Sequence, residues 1–224
     1  FEAGGHTPFP STICASINEE VVHGIATKEK VLKEGDVFSI DIGMEWPVKG
    51  LTEDKKNTHT DSKHGGYFTD TAITVPVGSI NKEDQLLLDR TYEAMMRGIE
   101  VCEPGGTVAD VGRVTEDYIN QFGYGIVEEL CGHGVGHGVH EDPNVLFYYD
   151  KRLSKWKLEP GVIICIEPMI NAGTKRVGVA KDGWSIITQD GARSAHFEHT
   201  VVITKKGPVR ATRRPSEDVL ESEI

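Results

Sequence analysis

Three histidines lie within one glycine-rich stretch, residues 131–143 (CGHGVGHGVHEDP). Glycine at this density lets the backbone turn sharply and approach a bound group closely. Neutral imidazole is the commonest metal ligand in proteins, and it is also the acid–base group best suited to neutral pH. Taken alone, the stretch is equally consistent with a flexible turn that carries solvated histidines. It indicates metal binding or acid–base chemistry only if other parts of the chain bring suitable groups to it.

Carboxylates occur within segments patterned as β-strands on both sides of this stretch. An acidic side chain inside a run of β-branched residues is costly to bury unless it is paired or bound to a metal. Four such segments are predicted: 37–43 with Asp41, 67–77 with Asp70, 162–170 with Glu167 and 193–204 with Glu198.

Together with His133, these residues make a set of four carboxylates and one imidazole. Oxygen-rich donors with one or two imidazoles suit divalent Mn, Fe, Co or Zn. Four carboxylates would repel one another strongly, and two bridged divalent metal ions neutralise them better than one. Such a pair lowers the pKa of a shared water, giving hydroxide near neutral pH, and polarises a scissile carbonyl. His23 and His140 are left as outer groups that donate hydrogen bonds or move protons.

The chain also contains an internal repeat. LKEGDVFSID at 32–41 matches LEPGVIICIE at 158–167 at an offset of 126, and YFTDTAITV around Asp70 has its counterpart in AHFEHTVVI around Glu198. Each half therefore offers two strand carboxylates, unless the similarity arose by chance. Helices are predicted at 82–101 and 107–122, ahead of the second-half strands, and none precedes the strands of the first half. We expect a segment of that size, preceding Phe1, to be missing from this chain.

Composition and charge narrow the class of protein. Asp and Glu number 35 against 24 Lys and Arg, a net charge of −11 that argues against nucleic-acid binding. No apolar run approaches the ~20 residues of a membrane helix, and no secretory leader opens the chain, so neither membrane insertion nor secretion is expected. Four widely separated cysteines without a CxxC pair predict free thiols in a cytoplasmic protein.

The length of 224 residues suits a single domain spanning 1–224. A polar excursion is predicted at 45–66, and a polar tail at 208–224 is expected to be exposed or frayed. The remaining predicted elements are a strand at 13–17, a strand at 126–131, an exposed connection at 144–157 and a hairpin at 177–188.

Six segments, taken as a set, resemble type I methionine aminopeptidases of the pita-bread fold. They are NEEVVHG, FSIDIG, FTDT, CGHGVGHGVHEDP, CIEPMIN and SAHFEHTVVIT, in this order within residues 9–204. The resemblance implies an α+β fold in which a pseudo-two-fold antiparallel sheet is covered by helices, here without the first-half helix pair. It implies removal of the initiator methionine from nascent proteins and peptides whose second residue is small. The implied setting is a cytoplasmic monomer that meets the N-terminal peptide of its substrate near the ribosome.

The resemblance also implies a role for each candidate residue around the metal. A dinuclear centre would be held by Asp41, Asp70, His133, Glu167 and Glu198. Asp70 and Glu198 would bridge the two ions. His140 would contact the substrate carbonyl, His23 the region of the scissile amide, and Glu167 would pass a proton to the leaving amine. His137 falls at a position that varies in the family, and we expect it not to be a ligand.

The methionine pocket implied by the resemblance is formed by Phe9, Cys14 and Trp184, whose aromatic and sulfur walls suit a polarizable thioether. Ordinary core packing is the alternative for Cys14 and Trp184. His6 and Val139 stand where many relatives have bulky aromatic residues, which implies a broader substrate preference.

Two other interpretations remain open at this stage. A relative that cleaves before proline, an Xaa-Pro aminopeptidase or prolidase, usually carries a large N-terminal domain that this sequence does not show. A non-catalytic pita-bread module that binds partners is the other interpretation. Such modules typically lose metal ligands, and all five candidate ligands are present here.

Overall fold

β-Strands make up most of the regular structure in this computed structural model, which describes residues 9–46 and 65–217. Together with two long helices they give the α+β class expected from the sequence. The described strands are β1 Cys14–Ile17, β2 Glu20–Val22, β3 Val37–Trp46, β4 Tyr67–Pro76, β5 Gly125–Ile126, β6 Gly132–Gly134, β7 Glu141–Val145, β8 Ile163–Ile166, β9 Met169–Asn171, β10 Val177–Val179, β11 Ile186–Thr188, β12 Ser194–His196, β13 His199–Thr204 and β14 Gly207–Arg210.

The strands form four small sheets, and the order within each sheet shows how the two halves of the chain interleave. The orders are β1-β3-β4, β10-β11-β2, β12-β9-β5 and β14-β13-β8-β6-β7. The predicted hairpin at 177–188 is confirmed as β10 and β11, and β11 also pairs with β2 from the first half. Strands distant in the sequence are therefore neighbours around the centre of the molecule.

Two helices, α1 (Lys82–Glu100) and α2 (Val108–Ile119), confirm the helical predictions, and a 3₁₀ turn extends α2 to Phe122. Asn81 caps α1 by accepting a hydrogen bond from the Asp84 backbone N–H at 2.8 Å. Gly98 of α1 lies against Ile166, so this helix packs on the second-half strands. Neither these helices nor any other in the described part has the length and apolarity needed to cross a bilayer.

The first-half sheet brings two carboxylate positions onto neighbouring strands. Asp41 of β3 lies opposite Ala72, and Asp70 of β4 lies opposite Gly43 in the same antiparallel ladder. The ladder continues to the pair Trp46 and Tyr67, so the predicted excursion begins after residue 46 and not at 45. Its residues 47–64 lie outside the described part of the chain.

The predictions of single strands at 162–170 and 193–204 were wrong, because each is split in two. The chain leaves β8 at Ile166 and enters β9 at Met169, and it leaves β12 at His196 and enters β13 at His199. Pro168 lacks the N–H that a continuous ladder needs at this point. β8 pairs with β13 and β9 pairs with β12, so the two breaks lie opposite each other on paired segments of the chain. Glu167 and Glu198 are at these breaks.

The predicted strand at 126–131 is also shifted. Only Gly125–Ile126 is a strand, and the next strand, β6, lies inside the histidine-rich stretch itself. A Cβ at Gly132 would collide with the Cys165 carbonyl, and one at Gly134 would collide with the Asp142 carbonyl. The glycines therefore allow β6 to insert between β7 and β8.

The chain after β13 is ordered, contrary to the expectation of an exposed or frayed tail. β14 pairs with β13, and Glu217 is buried. The connection at 144–157 is likewise not simply exposed, because Val145 and Phe147 belong to the core. Residues 218–224 lie outside the described part.

Candidate metal centre and adjoining pocket

Two adjoining cavities contain the candidate ligands and the candidate catalytic and pocket residues predicted from the sequence. The first, which we call the donor cavity, has a volume of about 270 Å³ and includes the five candidate ligands Asp41, Asp70, His133, Glu167 and Glu198 in its lining. The second, which we call the side-chain pocket, has a volume of about 240 Å³ and includes Phe9, Cys14 and Trp184. His23 and His140 line both cavities, as do Asp41 and Asp70, so these four residues mark the junction.

Hydrogen bonds between the two halves hold Asp70 close to Glu198. The Glu198 N–H donates to the Ala72 carbonyl at 2.9 Å, and the Thr71 hydroxyl donates to the Glu198 carbonyl at 2.9 Å. One oxygen each from Asp41, Asp70 and Glu198 lies within 4.8 Å of the others. Three carboxylates from three separate segments therefore face one small volume.

Glu167 lies between two imidazoles on the other side of the donor cavity. Its Oε1 is 3.2 Å from His133 Nε2, and its Oε2 is 3.3 Å from His196 Nε2. His133 Nδ1 is 2.9 Å from the Gly134 carbonyl, which can only accept, so Nδ1 carries a proton. In the neutral ring, Nε2 then presents its lone pair to the cavity, as a metal-ligating histidine does.

His196 is the residue at this site that the sequence analysis missed. It is buried, with 1% of its surface exposed, and it precedes Glu198 by two residues. In a strand-like segment this spacing places two side chains on the same face, which is the signal that could have identified it.

Burial and mutual repulsion disturb the ionisation of the donor-cavity carboxyls. Burial and the nearby Asp41 raise the pKa of Asp70 to about 8. Burial and Asp70 raise the pKa of Glu198 well above its usual value, and burial also raises that of Asp41. Burial alone would raise the pKa of Glu167 too, but His133 and His196 lower it to about 2. Without a cation, the cluster is thus held together by protons and by imidazolium charge.

The donor set fits divalent metal ions on two structural grounds. Glu198 Oε1 and His196 Nε2 are buried and have no hydrogen-bond partner among the described residues, an arrangement that costs free energy unless another group satisfies them. Carboxylate oxygens and imidazole nitrogens are the donors that Mn, Fe, Co and Zn accept. Cys165 lies near this group, but burial raises the pKa of its thiol well above the usual value, which disfavours it as a ligand.

His23 and His140 both lie at the junction of the two cavities. His23 follows β2 with a φ of +57°, a left-handed conformation that is uncommon for residues other than glycine and often marks functional sites. Burial lowers its pKa, which favours the neutral ring. The His140 ring packs edge-on against His133, with centroids 4.4 Å apart. His137 lines neither cavity and packs against Tyr67 instead.

The side-chain pocket has aromatic and sulfur walls. Phe9 meets Trp184 edge-on at 5.3 Å between ring centroids, and Val139 also lines the pocket. Cys14 of β1 lies opposite Asp41 in the first-half sheet, and burial raises the pKa of its thiol far above the usual value. His6 lies outside the described residues.

The ordered tail fixes the chain around Glu198. Arg214 Nη2 donates to the Thr71 hydroxyl at 2.8 Å, to the Ala72 carbonyl at 2.6 Å and to the Glu198 carbonyl at 3.1 Å. Arg214 is held in turn by Glu217, whose carboxylate accepts from its Nη1 at 2.8 Å. This clamp was not expected from the sequence, in which residues 208–224 have the composition of a polar tail.

Comparison with known proteins agrees with this geometry. The profile of metallopeptidase family M24 matches residues 2–60 and 57–205. Methionine aminopeptidase 1 of Bacillus subtilis is 38% identical over 203 residues, covering 91% of this chain and 74% of the relative. The crystal structure of methionine aminopeptidase from Thermotoga maritima superposes with a TM-score of 0.78 at 36% identity, covering 90% of this chain and 74% of that one.

A prolidase from Pyrococcus furiosus shares the fold at lower similarity. Its TM-score is 0.64 at 24% identity, and this chain covers 49% of it. The two methionine aminopeptidases match both the sequence and the fold, and a larger share of their length is covered. The chain therefore belongs to metallopeptidase family M24, within its methionine aminopeptidase group.

Proposed function

We propose that this chain is a metal-dependent aminopeptidase that removes the N-terminal methionine from peptides and nascent proteins whose second residue is small. The observation that carries the proposal is the junction of a metal-fitting donor cavity with a pocket the size of one side chain. A single substrate residue can place its side chain in the pocket and its backbone among the donors.

The pocket and its carboxyl groups account for selection of an N-terminal methionine. Phe9 and Trp184 give it aromatic walls, which suit an apolar, polarizable thioether. Asp41 and Asp70 stand where the pocket opens into the donor cavity. When metal binds, these carboxyls lose their protons, and their oxygens can then accept hydrogen bonds from the α-amino group of a chain terminus, which has more N–H donors than the amide of an internal residue.

Divalent ions, when bound, supply a water ionised near neutral pH and polarisation of the scissile carbonyl. Asp41, Asp70, His133, Glu167 and Glu198 would hold them, and Glu198 is the residue common to the three candidate donor groups. These assignments rest on the common cavity and on the chemistry of the donor atoms.

The remaining steps fall to side chains at the junction. We assign to His140 a hydrogen bond to the substrate carbonyl and to His23 contact with the scissile amide, since both line the two cavities. His133 and His196 hold the pKa of Glu167 at about 2 against the effect of burial, so at neutral pH it is a carboxylate. In that form it can take a proton from the attacking water and deliver it to the leaving amine.

The cellular setting follows from the same proposal. One chain supplies every candidate residue, which is consistent with an active monomer, and all four cysteines are free, as in a reducing cytoplasm. Nascent chains present their N-terminal methionine as they leave the ribosome, so action near the ribosome is part of the proposal.

The test is release of free methionine from a Met-Ala-Ser peptide, with Mn²⁺ or Co²⁺ added and again after chelation. An Ala-Pro-Ala peptide and the Glu198→Gln variant are run beside it. We expect metal-dependent release of methionine that is lost in the variant, and no cleavage of the proline peptide. Cleavage of the proline peptide alone would indicate a prolidase activity instead. The absence of methionine release from metal-loaded protein would refute the proposal.

A further inference from the structure

His196 occupies a fixed position beside Glu167, which lines the donor cavity. Its N–H donates to the Thr74 hydroxyl at 2.8 Å, and that hydroxyl donates to the His196 carbonyl at 2.7 Å. The Thr74 hydroxyl also lies 2.8 Å from the Ser39 hydroxyl, which ties the group to β3. The backbone that carries this imidazole is therefore held by the first half of the molecule.

The ring of His196 is buried with one of its nitrogens unsatisfied within the part of the chain that the structure describes. Its Nε2 is buried and has no hydrogen-bond partner among the described residues, although Glu167 Oε2 lies 3.3 Å away. That contact is close enough for an ion pair but does not have hydrogen-bond geometry. A buried polar nitrogen without a partner is rare in folded proteins, and a metal ion is one of the groups that satisfy it.

The neighbouring donors have the spacing of a shared ion. One donor atom each from Glu167, His196 and Glu198 lies within 4.8 Å of the other two. Because metal–nitrogen and metal–oxygen distances are about 2.0–2.2 Å, ligands on opposite sides of one ion are separated by about 4.2 Å. The three donors are thus close enough to bind the same ion.

We propose that His196 is a sixth ligand of the metal centre, a second imidazole beside His133. The proposal rests on the metallopeptidase function above and adds a residue to it. A second nitrogen donor makes the site less suited to Mn²⁺ and more suited to Zn²⁺, Co²⁺ or Fe²⁺, because imidazole favours these metals and an all-carboxylate site favours Mn²⁺. His196 therefore sets metal preference as well as adding a ligand.

The alternative is that His196 only positions Glu167 from outside the metal shell. A glutamine at 196 keeps an N–H donor of similar reach but cannot offer an imidazole nitrogen to the ion. The His196→Gln variant therefore separates ligation from positioning. His137→Gln is the matched control, because His137 is a histidine that belongs to none of the candidate donor groups and lines neither cavity.

The experiment is NMR of protein labelled with ¹⁵N-histidine and loaded with ¹¹³Cd²⁺, in which a ring nitrogen bonded to the metal shows a one-bond coupling. We expect two coupled imidazole nitrogens in the wild type and in His137→Gln, and one in His196→Gln. Isothermal titration should show that His196→Gln lowers the affinity for Zn²⁺ relative to Mn²⁺ by roughly 10- to 100-fold.

A single coupled imidazole in the wild type would overturn the proposal. This result does not depend on whether any variant folds. An unchanged Zn²⁺-to-Mn²⁺ ratio in His196→Gln would overturn its consequence for metal preference. Both readouts are independent of turnover. Two coupled nitrogens together with no methionine release would leave the ligand assignment intact and count against the proposed activity instead.

Discussion

The two halves of the molecule carry equivalent carboxylates on equivalent strands, but they cover those strands differently. Ile164 and Ile166 of β8 are fully buried, and α1 packs against Ile166 through Gly98. Their counterparts at an offset of 126, Phe38 and Ile40 of β3, are only half-buried. Further along β3, Ile42 is 43% exposed and Met44 is 57% exposed.

The halves differ again at the carboxylates themselves. Asp41 and Asp70 lie inside continuous strands, whereas Glu167 and Glu198 lie at breaks where the chain passes from one sheet to another. The position after Asp41 is Ile42, which continues the ladder, and the matching position after Glu167 is Pro168, which cannot. The geometry of the ligands therefore depends on strand register and on hydrogen bonds between the halves. Helical cover should instead determine how much each half contributes to stability.

The largest effect is expected when matched ligands are removed, one from each half. Asp70→Asn and Glu198→Gln should each lower methionine release by more than the roughly 100-fold typical of losing an outer-shell partner. The reason is that both carboxylates belong to the candidate donor groups that would hold the metal. Initial rates at saturating Mn²⁺ measure this, with Asp89→Asn on the exposed face of α1 as the control. If either variant kept near-normal turnover, the halves would not contribute equally to the centre.

Stability should distinguish the two halves more clearly than activity. Ile166→Ala should lower the free energy of unfolding by about 2 to 5 kcal/mol, because it leaves a cavity under α1. Ile40→Ala, at the matched position, should cost about 1 kcal/mol, because that side chain is only half-buried. Urea unfolding of the chelated protein gives both values, and Ile→Val at the same positions provides milder variants. Equal losses at the two positions would contradict the difference in cover.

The clamp at Arg214 should affect metal binding more than its neighbour does. Arg214→Lys loses the fork that holds the carbonyls of Ala72 and Glu198, so the affinity for Mn²⁺ should fall by roughly 10- to 100-fold. Arg213→Lys, one residue earlier, is the matched control and should bind like the wild type. Isothermal titration measures both. Equal affinities for the two variants would show that the tail does not position Glu198.

The smallest effect concerns pH and the metal-free protein. Burial and Asp41 raise the pKa of Asp70 to about 8, and Glu167 raises that of His133 to about 9 although burial alone would lower it. In the unfolded chain these groups ionise near 3.8 and 6.5. Between pH 6.5 and 9 the folded state therefore holds protons that the unfolded state has lost, so its stability falls as pH rises.

Bound metal should remove this decline in stability with pH, because metal binds the deprotonated ligands of the native state. Thermal unfolding at several pH values, with chelator and with Mn²⁺, compares the two forms. The melting temperature should decline with pH only in the chelated protein. A parallel decline in both would mean that these groups are not the ones that bind metal.

Much of the site could be predicted from the sequence because its residues lie in segments whose hydrophobic pattern clearly indicates strands. Asp41 within VFSIDIG needed only strand alternation, and the internal repeat then indicated Glu167. The helices α1 and α2 followed from caps and apolar spacing.

The rest depended on contacts that only the folded chain creates. Pro168 is a local signal for the break at Glu167, but the break at Glu198 follows from pairing between β8 and β13 and between β9 and β12, which its own segment does not reveal. His196 is recognised as a site residue only when Glu167, distant in the sequence, is placed beside its ring. The ordered tail depends on Arg214 reaching the carbonyl of Ala72, on a strand more than a hundred residues earlier.

The most direct test returns metal ions to chelated protein in steps and follows methionine release from Met-Ala-Ser while native mass spectrometry counts the bound ions. If both halves jointly build one catalytic metal centre, activity should be absent without metal and should reach its plateau with two ions per chain. Activity that survives chelation, or a fully loaded protein that releases no methionine, would contradict it.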